Sequence, residues 1–174
     1  MSFDHSLSGN AVLRKEVNLD GAVEIMKPLF SYFGLKDESI HAILAGGIEG
    51  PRGMHGVRGI EAEFNEGTRN LYFYTSECVN DNFHDAIKET ILRLNGAVEK
   101  AGYLTLQDYD TADLEDAVTD FWFGPSEQAI MDGMFESNLE KATSLLAEFL
   151  GDEEAHRIAT EARSVYATQR AGQR

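Results

Sequence analysis

The chain has 174 residues, 43% of them apolar and 26% charged, which is enough for one folded domain with a sizeable core and excludes a disordered composition. Its formal net charge of −15 is unevenly spread: residues 101–156 hold fourteen acids against a single base, Lys141. That block repels nucleic-acid phosphates and anionic membrane surfaces, and no apolar stretch approaches the ~20 residues a bilayer crossing needs.

The opening Met-Ser-Phe-Asp-His-Ser has neither the positive region nor the apolar region of a secretory signal. Cys78 is the single cysteine, so no disulfide can close within the chain, and a cytoplasmic setting is expected. Ala11–Val17 reads as a short strand. Asn18 then caps a helix with Val23, Met26 and Phe30 on one face, which Pro28 should kink or split and Gly34 should end. Lys36–Leu44 fits either a short helix capped by Asp37 or a strand, and Gly46-Gly47 stops it.

The clearest hairpin follows. Ile60, Ala62 and Phe64 alternate with Glu61 and Glu63, Asn65-Glu66-Gly67-Thr68 supplies the turn, and Leu71-Tyr72-Phe73-Tyr74 returns as an aromatic strand. Asn80 or Asp81 caps a long helix with Phe83, Ile87, Ile91, Leu94 and Val98 at helical spacing, and Gly102 is placed as its left-handed terminal residue. Tyr103–Tyr109 reads as a fourth strand. The expected fold is therefore α+β: a ferredoxin-like βαββαβ sandwich with an antiparallel sheet over residues 1–110. A helical extension over 111–166 is expected to pack on the same core, through helices at Thr111–Phe123, Ser126–Leu150 and Asp152–Tyr166. A frayed tail at 167–174 completes the chain. Two helices can cover only one face of the sheet, so the other face needs the extension or a second subunit.

Two segments stand out as candidate working surfaces. From Gly47 to Gly59 glycine recurs at every third position, the period of a polyproline II helix, with Arg52, His55 and Arg58 along one edge. Such a loop can hold a phosphate or carboxylate, or serve as an arm whose arginines meet carboxylates of a neighbouring chain, or be a plain glycine-rich connection. No standard nucleotide fingerprint accompanies it. The second segment is Asp108–Trp122, where Asp113, Glu115 and Asp116 present charge to a basic partner. Phe121-Trp122-Phe123 cannot all face one core on a helix, so Trp122 is a contact candidate. Tyr72, Phe73 and Tyr74 project to both sheet faces; Glu61 and Glu63 beside them oppose RNA stacking, so burial under a C-terminal helix or at a dimer interface is expected.

The five histidines show no metal-ligand spacing, Asp81, His84 and Asp85 suit a helix N-terminus, and Cys78 suits a small core position. No catalytic residue, metal or cofactor is expected. The leading expectation is a non-enzymatic, acidic, self-associating interaction protein, most simply a dimer, with a basic protein partner. An inhibitor or adaptor of a nucleic-acid-handling protein fits that charge, with no direct nucleic-acid or membrane contact. The opposing expectation is a small-molecule enzyme or binding protein that holds an anionic ligand in Gly47–Gly59, with His55 carrying the proton.

Overall fold

The computed structural model describes residues 3–46, 60–80, 82–109 and 117–172. In chain order these form β1 (Phe3–Val12), α1 (Leu19–Tyr32), α2 (Asp37–Gly46), β2 (Ile60–Asn65), β3 (Asn70–Val79), α3 (Asn82–Ala97), β4 (Gly102–Asp108), β5 (Val118–Phe123), α4 (Glu127–Leu150) and α5 (Asp152–Ala171). Met1–Ile130 and Met131–Arg174 are two compact units. No described helix is long and apolar enough to cross a membrane.

The first unit is a five-stranded sheet in the order β2-β3-β1-β4-β5, with every neighbouring pair antiparallel. The α+β class holds. The sheet differs from the expected four-strand sandwich by β5 on its outer edge, and α2 stands as an extra helix before β2, so the expected ferredoxin-like strand order is not met as such.

Alternation explains the β2–β3 hairpin: Ile60, Ala62 and Phe64 are buried while Glu61 and Glu63 are exposed. On β3, Leu71, Phe73 and Thr75 are buried, and Phe73 meets Phe30 of α1 edge-on with ring centroids 5.6 Å apart. The central strand β1 starts eight residues before the expected strand and stops at Val12. Its Ser-Leu-Ser-Gly-Asn-Ala run has weak strand propensity, yet Leu7 and Ala11 reach the core.

Asn18 caps α1 as expected, its side chain accepting from the Gly21 N–H at 3.0 Å. The helix continues through Pro28 without splitting, because Val23, Met26, Leu29 and Phe30 are buried on both sides of the proline. Gly34, at φ 77, ends it in the left-handed region that glycine enters without cost. The segment left open between helix and strand is the helix α2. On α3 the stripe Phe83, Ile87, Thr90, Leu94 and Ala97 is buried.

Two expectations need correction. Gly102 does not end a helix; it is the first residue of β4, where an added Cβ would lie 2.8 Å from the fully buried Phe123 ring. Val118–Phe123, expected as the end of a helix, is the strand β5. A strand resolves the difficulty of three consecutive aromatics, because it sends Phe123 into the core and Trp122 to the opposite face.

In the second unit, the part of α4 from Met131 onward pairs with α5 as a helical hairpin turned at Gly151, φ 83. Phe135 and Tyr166 stack with centroids 4.0 Å apart and planes 5° from parallel. Asp132 accepts hydrogen bonds from Tyr166 at 3.0 Å and from Arg170 at 2.6 Å, and Arg163 pairs with Glu136 at 2.9 Å. These contacts make the two helices antiparallel. Helix α5 runs to Ala171, so residues 167–171 are helical.

Candidate functional site

Strand alternation gives the first unit's sheet two unlike faces. Leu7, Ala11, Leu71, Phe73, Leu104 and Phe123 point to the side that α1 and α3 cover. On the other side β1 places Ser6, Ser8 and Asn10. Their neighbours across the strands are Tyr72 and Tyr74 of β3, and Thr105 and Gln107 of β4. Tyr103 and Thr105 in turn sit opposite Trp122 and Asp120 of β5, and Glu61 and Glu63 of β2 sit opposite Tyr74 and Tyr72.

Small side chains on the central strand and large ones on its neighbours make a trough along β1. The depression measures about 520 Å³ and is lined by Ser8, Gly9, Asn10, Tyr72, Gly102, Tyr103 and Thr105. That is the size range of ordinary ligand pockets. Tyr72 forms one wall. Tyr103 forms the other and is backed by Trp122, with ring centroids 4.7 Å apart at 46°. The floor supplies hydroxyl and amide groups, and Thr105 donates to Asp120 at 2.7 Å, which orients that carboxylate. At one end Ser6 and Tyr109 share a hydroxyl contact at 3.1 Å.

The electrostatics of this face have one sign. Its strand positions carry Asp4, Glu61, Glu63 and Asp120, and no lysine or arginine among the described residues. The Tyr72 phenol is raised above its ordinary pKa, first by partial burial, then by the negative charge of Glu61.

A second concavity, about 510 Å³, lies between α1 and α2 and is lined by Asp20, Val23, Glu24, Asp37, Glu38 and His41. Asp20, Glu24 and Asp37 are engaged in exposed pairs, among them Lys27–Asp37 at 2.6 Å and His41–Asp20 at 3.6 Å, and no Phe, Tyr or Trp lines it. Surface pairs of this kind contribute little. The trough is the better-built site.

Of the residues singled out from sequence, Trp122 lies on the trough face. Arg52, His55 and Arg58, with the whole Gly47–Gly59 run, lie outside the described residues, as do Asp113, Glu115 and Asp116. Ser8, Asn10, Tyr103 and Thr105 were not anticipated as site residues. The signal for them was the alternation Ser6-Leu7-Ser8, which places hydroxyls in register on one face of a strand. Among the described residues no three His, Cys, Asp or Glu side chains gather as a metal site.

Residues 3–167 match the model of a family described as Family of unknown function (DUF6806), and the chain belongs to that family. No similar curated protein and no similar solved structure was found.

Proposed function

We propose that this member of a family of unknown function is a non-enzymatic, acidic interaction protein, and that its β1 trough receives a basic segment of another macromolecule. The observation that carries the reading is the combination on one sheet face of four aromatic side chains, Tyr72, Tyr74, Tyr103 and Trp122, with four carboxylates and no described base. Arginine and lysine suit both features. Their heads pair with carboxylates, and their cations lie favourably on aromatic faces, an attraction of about 0.5–2 kcal/mol each. The trough's hydroxyl and amide groups can meet the backbone of the incoming segment.

The net charge of −15 favours the same class of partner by steering basic surfaces toward the chain. An inhibitor or adaptor acting on a nucleic-acid-handling protein would meet such segments. We also read the strands ordered β2-β3-β1-β4 as a ferredoxin-like sandwich extended by β5, an arrangement that stacks helices on one face and leaves the other for a partner.

Calorimetric titration of a short arginine- and lysine-rich peptide tests the reading. Saturable binding that weakens with added salt supports it. Equal binding of a glutamate-rich peptide of the same length, or no binding of either, rejects it.

A further inference from the structure

The hairpin of the second unit does not bury enough to hold itself together. Across α4 and α5, only Ala155 and Ala159 are buried, and α4 has no buried residue at all. Meanwhile Phe149 is 82% exposed, Leu145 60% and Met131 56%, with Met134 and Val165 exposed as well. A 44-residue unit of two helices is below the size at which a chain forms a sufficient core alone.

The exposed residues are not scattered. On α4, Met131, Met134, Asn138, Ala142, Leu145 and Phe149 follow one another at intervals of three or four, so they form one stripe along the helix. The centre of this stripe lies more than a quarter-turn from the centre of the seam with α5, which uses Asp132, Phe135 and Glu136, with Phe135 at the border between the two. By the same helical phase, Ile158 and Val165 of α5 fall on the stripe's side of the hairpin.

We infer that this face is the dimerisation surface, and that two copies stack their hairpins into an antiparallel four-helix bundle. Three observations select a second copy over a foreign partner. The stripe is palindromic by size: its large residues lie at both ends and its small ones, Asn138 and Ala142, in the middle, where they let two helices approach. A two-fold axis beside residue 140 then sets Met131 against Phe149 of the other copy, Met134 against Leu145, and Asn138 against Ala142, each contact made twice. Asn138, the stripe's one polar residue, lies beside the axis, close enough to its own copy for the two amides to pair and fix register.

Second, the stripe residues are uncharged, while the seam charges at Asp132, Glu136, Arg163 and Arg170 are paired within the hairpin. Third, the exposed apolar side chains offer on the order of 500 Å² per copy, so a pair buries about 1,000 Å², the threshold for a specific interface. The bundle is the architecture in which two such hairpins share one core. This inference concerns the second unit alone and is independent of the trough.

Light scattering on the full chain provides the test. The expected mass is that of two 19.3 kDa chains at micromolar concentration. Leu145→Asp with Phe149→Asp should weaken the dimer on the order of a hundredfold. Tyr72→Ala, on the trough, should leave its mass unchanged. Should the double variant unfold, a second measurement decides, made with Cys78 replaced by serine in every chain: chains carrying Asn138→Cys, mixed with chains carrying Ala142→Cys under mild oxidation, should form a disulfide-linked heterodimer. Mixing the Cys78→Ser chain with either variant should not give that product. A wild-type chain that stays monomeric, a double variant that stays dimeric, or mixed cysteine variants that fail to cross-link would each overturn the inference.

Discussion

Tyr103 and Trp122 face each other across the β4–β5 ladder, ring centroids 4.7 Å apart, on the side of the sheet opposite the buried residues that meet α1 and α3. Cross-strand aromatic pairs contribute roughly 0.2–1 kcal/mol to a sheet. Here the pair also stiffens the wall of a trough whose opposite wall is Tyr72, two strands away across β1.

Adjacent residues on β3 should therefore behave in opposite ways. Phe73 is buried against Phe30, and Phe73→Ala should cost about 3–5 kcal/mol of stability through lost burial and a cavity. Tyr72 stands at the open face, so Tyr72→Ala should cost about 1 kcal/mol or less yet abolish peptide binding. Urea denaturation and calorimetric titration of the two variants measure both halves. Equal destabilisation by the two changes contradicts the assignment of faces.

A methyl group at Gly102 should be felt throughout the first unit. Its Cβ would lie 2.8 Å from the Phe123 ring and 3.3 Å from the Asn10 carbonyl oxygen, and Phe123 is fully buried. Gly102→Ala is expected to destabilise by about 1–3 kcal/mol, seen as a lowered melting temperature. Gly34 has open space around it but a φ of 77, so Gly34→Ala should cost about 1 kcal/mol through backbone strain instead.

The N-terminal turn of α5 should respond to acid. Arg157 donates to Glu154 at 2.9 and 2.6 Å, and these hydrogen bonds hold the Glu154 carboxyl below its ordinary range. A folded pKa below the unfolded one gives a contribution that is present at neutral pH and lost as pH falls through the carboxylate range. Carbon-detected NMR titration should show Glu154 ionising at lower pH than a free glutamate. In Arg157→Ala its midpoint should return upward; an unchanged midpoint would contradict the pairing.

The fold was legible where one local signal dominated. The β2–β3 hairpin, the N-cap at Asn18 and the α3 stripe follow from alternation, capping and helical period, and the structure has them where those signals lie. The central strand was displaced because Ser6, Ser8, Gly9 and Asn10 carry little strand propensity; their place is set by pairing with β3 and β4 on either side. Strand β5 was hidden by the acidic residues before it, although Val118, Phe121, Trp122 and Phe123 are strand formers. The trough was only partly legible for the same reason. Trp122 and Tyr72 attracted notice as aromatics, whereas Tyr103 joins them only through the non-local register of β4 with β5. The glycine-rich run at 47–59 has a clear period in the sequence and lies outside the described residues.

Trp122 is the chain's single tryptophan and stands at the wall of the trough, so its fluorescence reports directly on what enters there. Titrating an arginine-rich peptide should shift the emission with a saturable curve. Raising the salt should move that curve to higher peptide concentration, and replacing Glu61 and Glu63 with glutamine should weaken binding by roughly tenfold. A Trp122 signal that does not change while the peptide demonstrably binds would place the partner elsewhere and contradict the trough as the binding site.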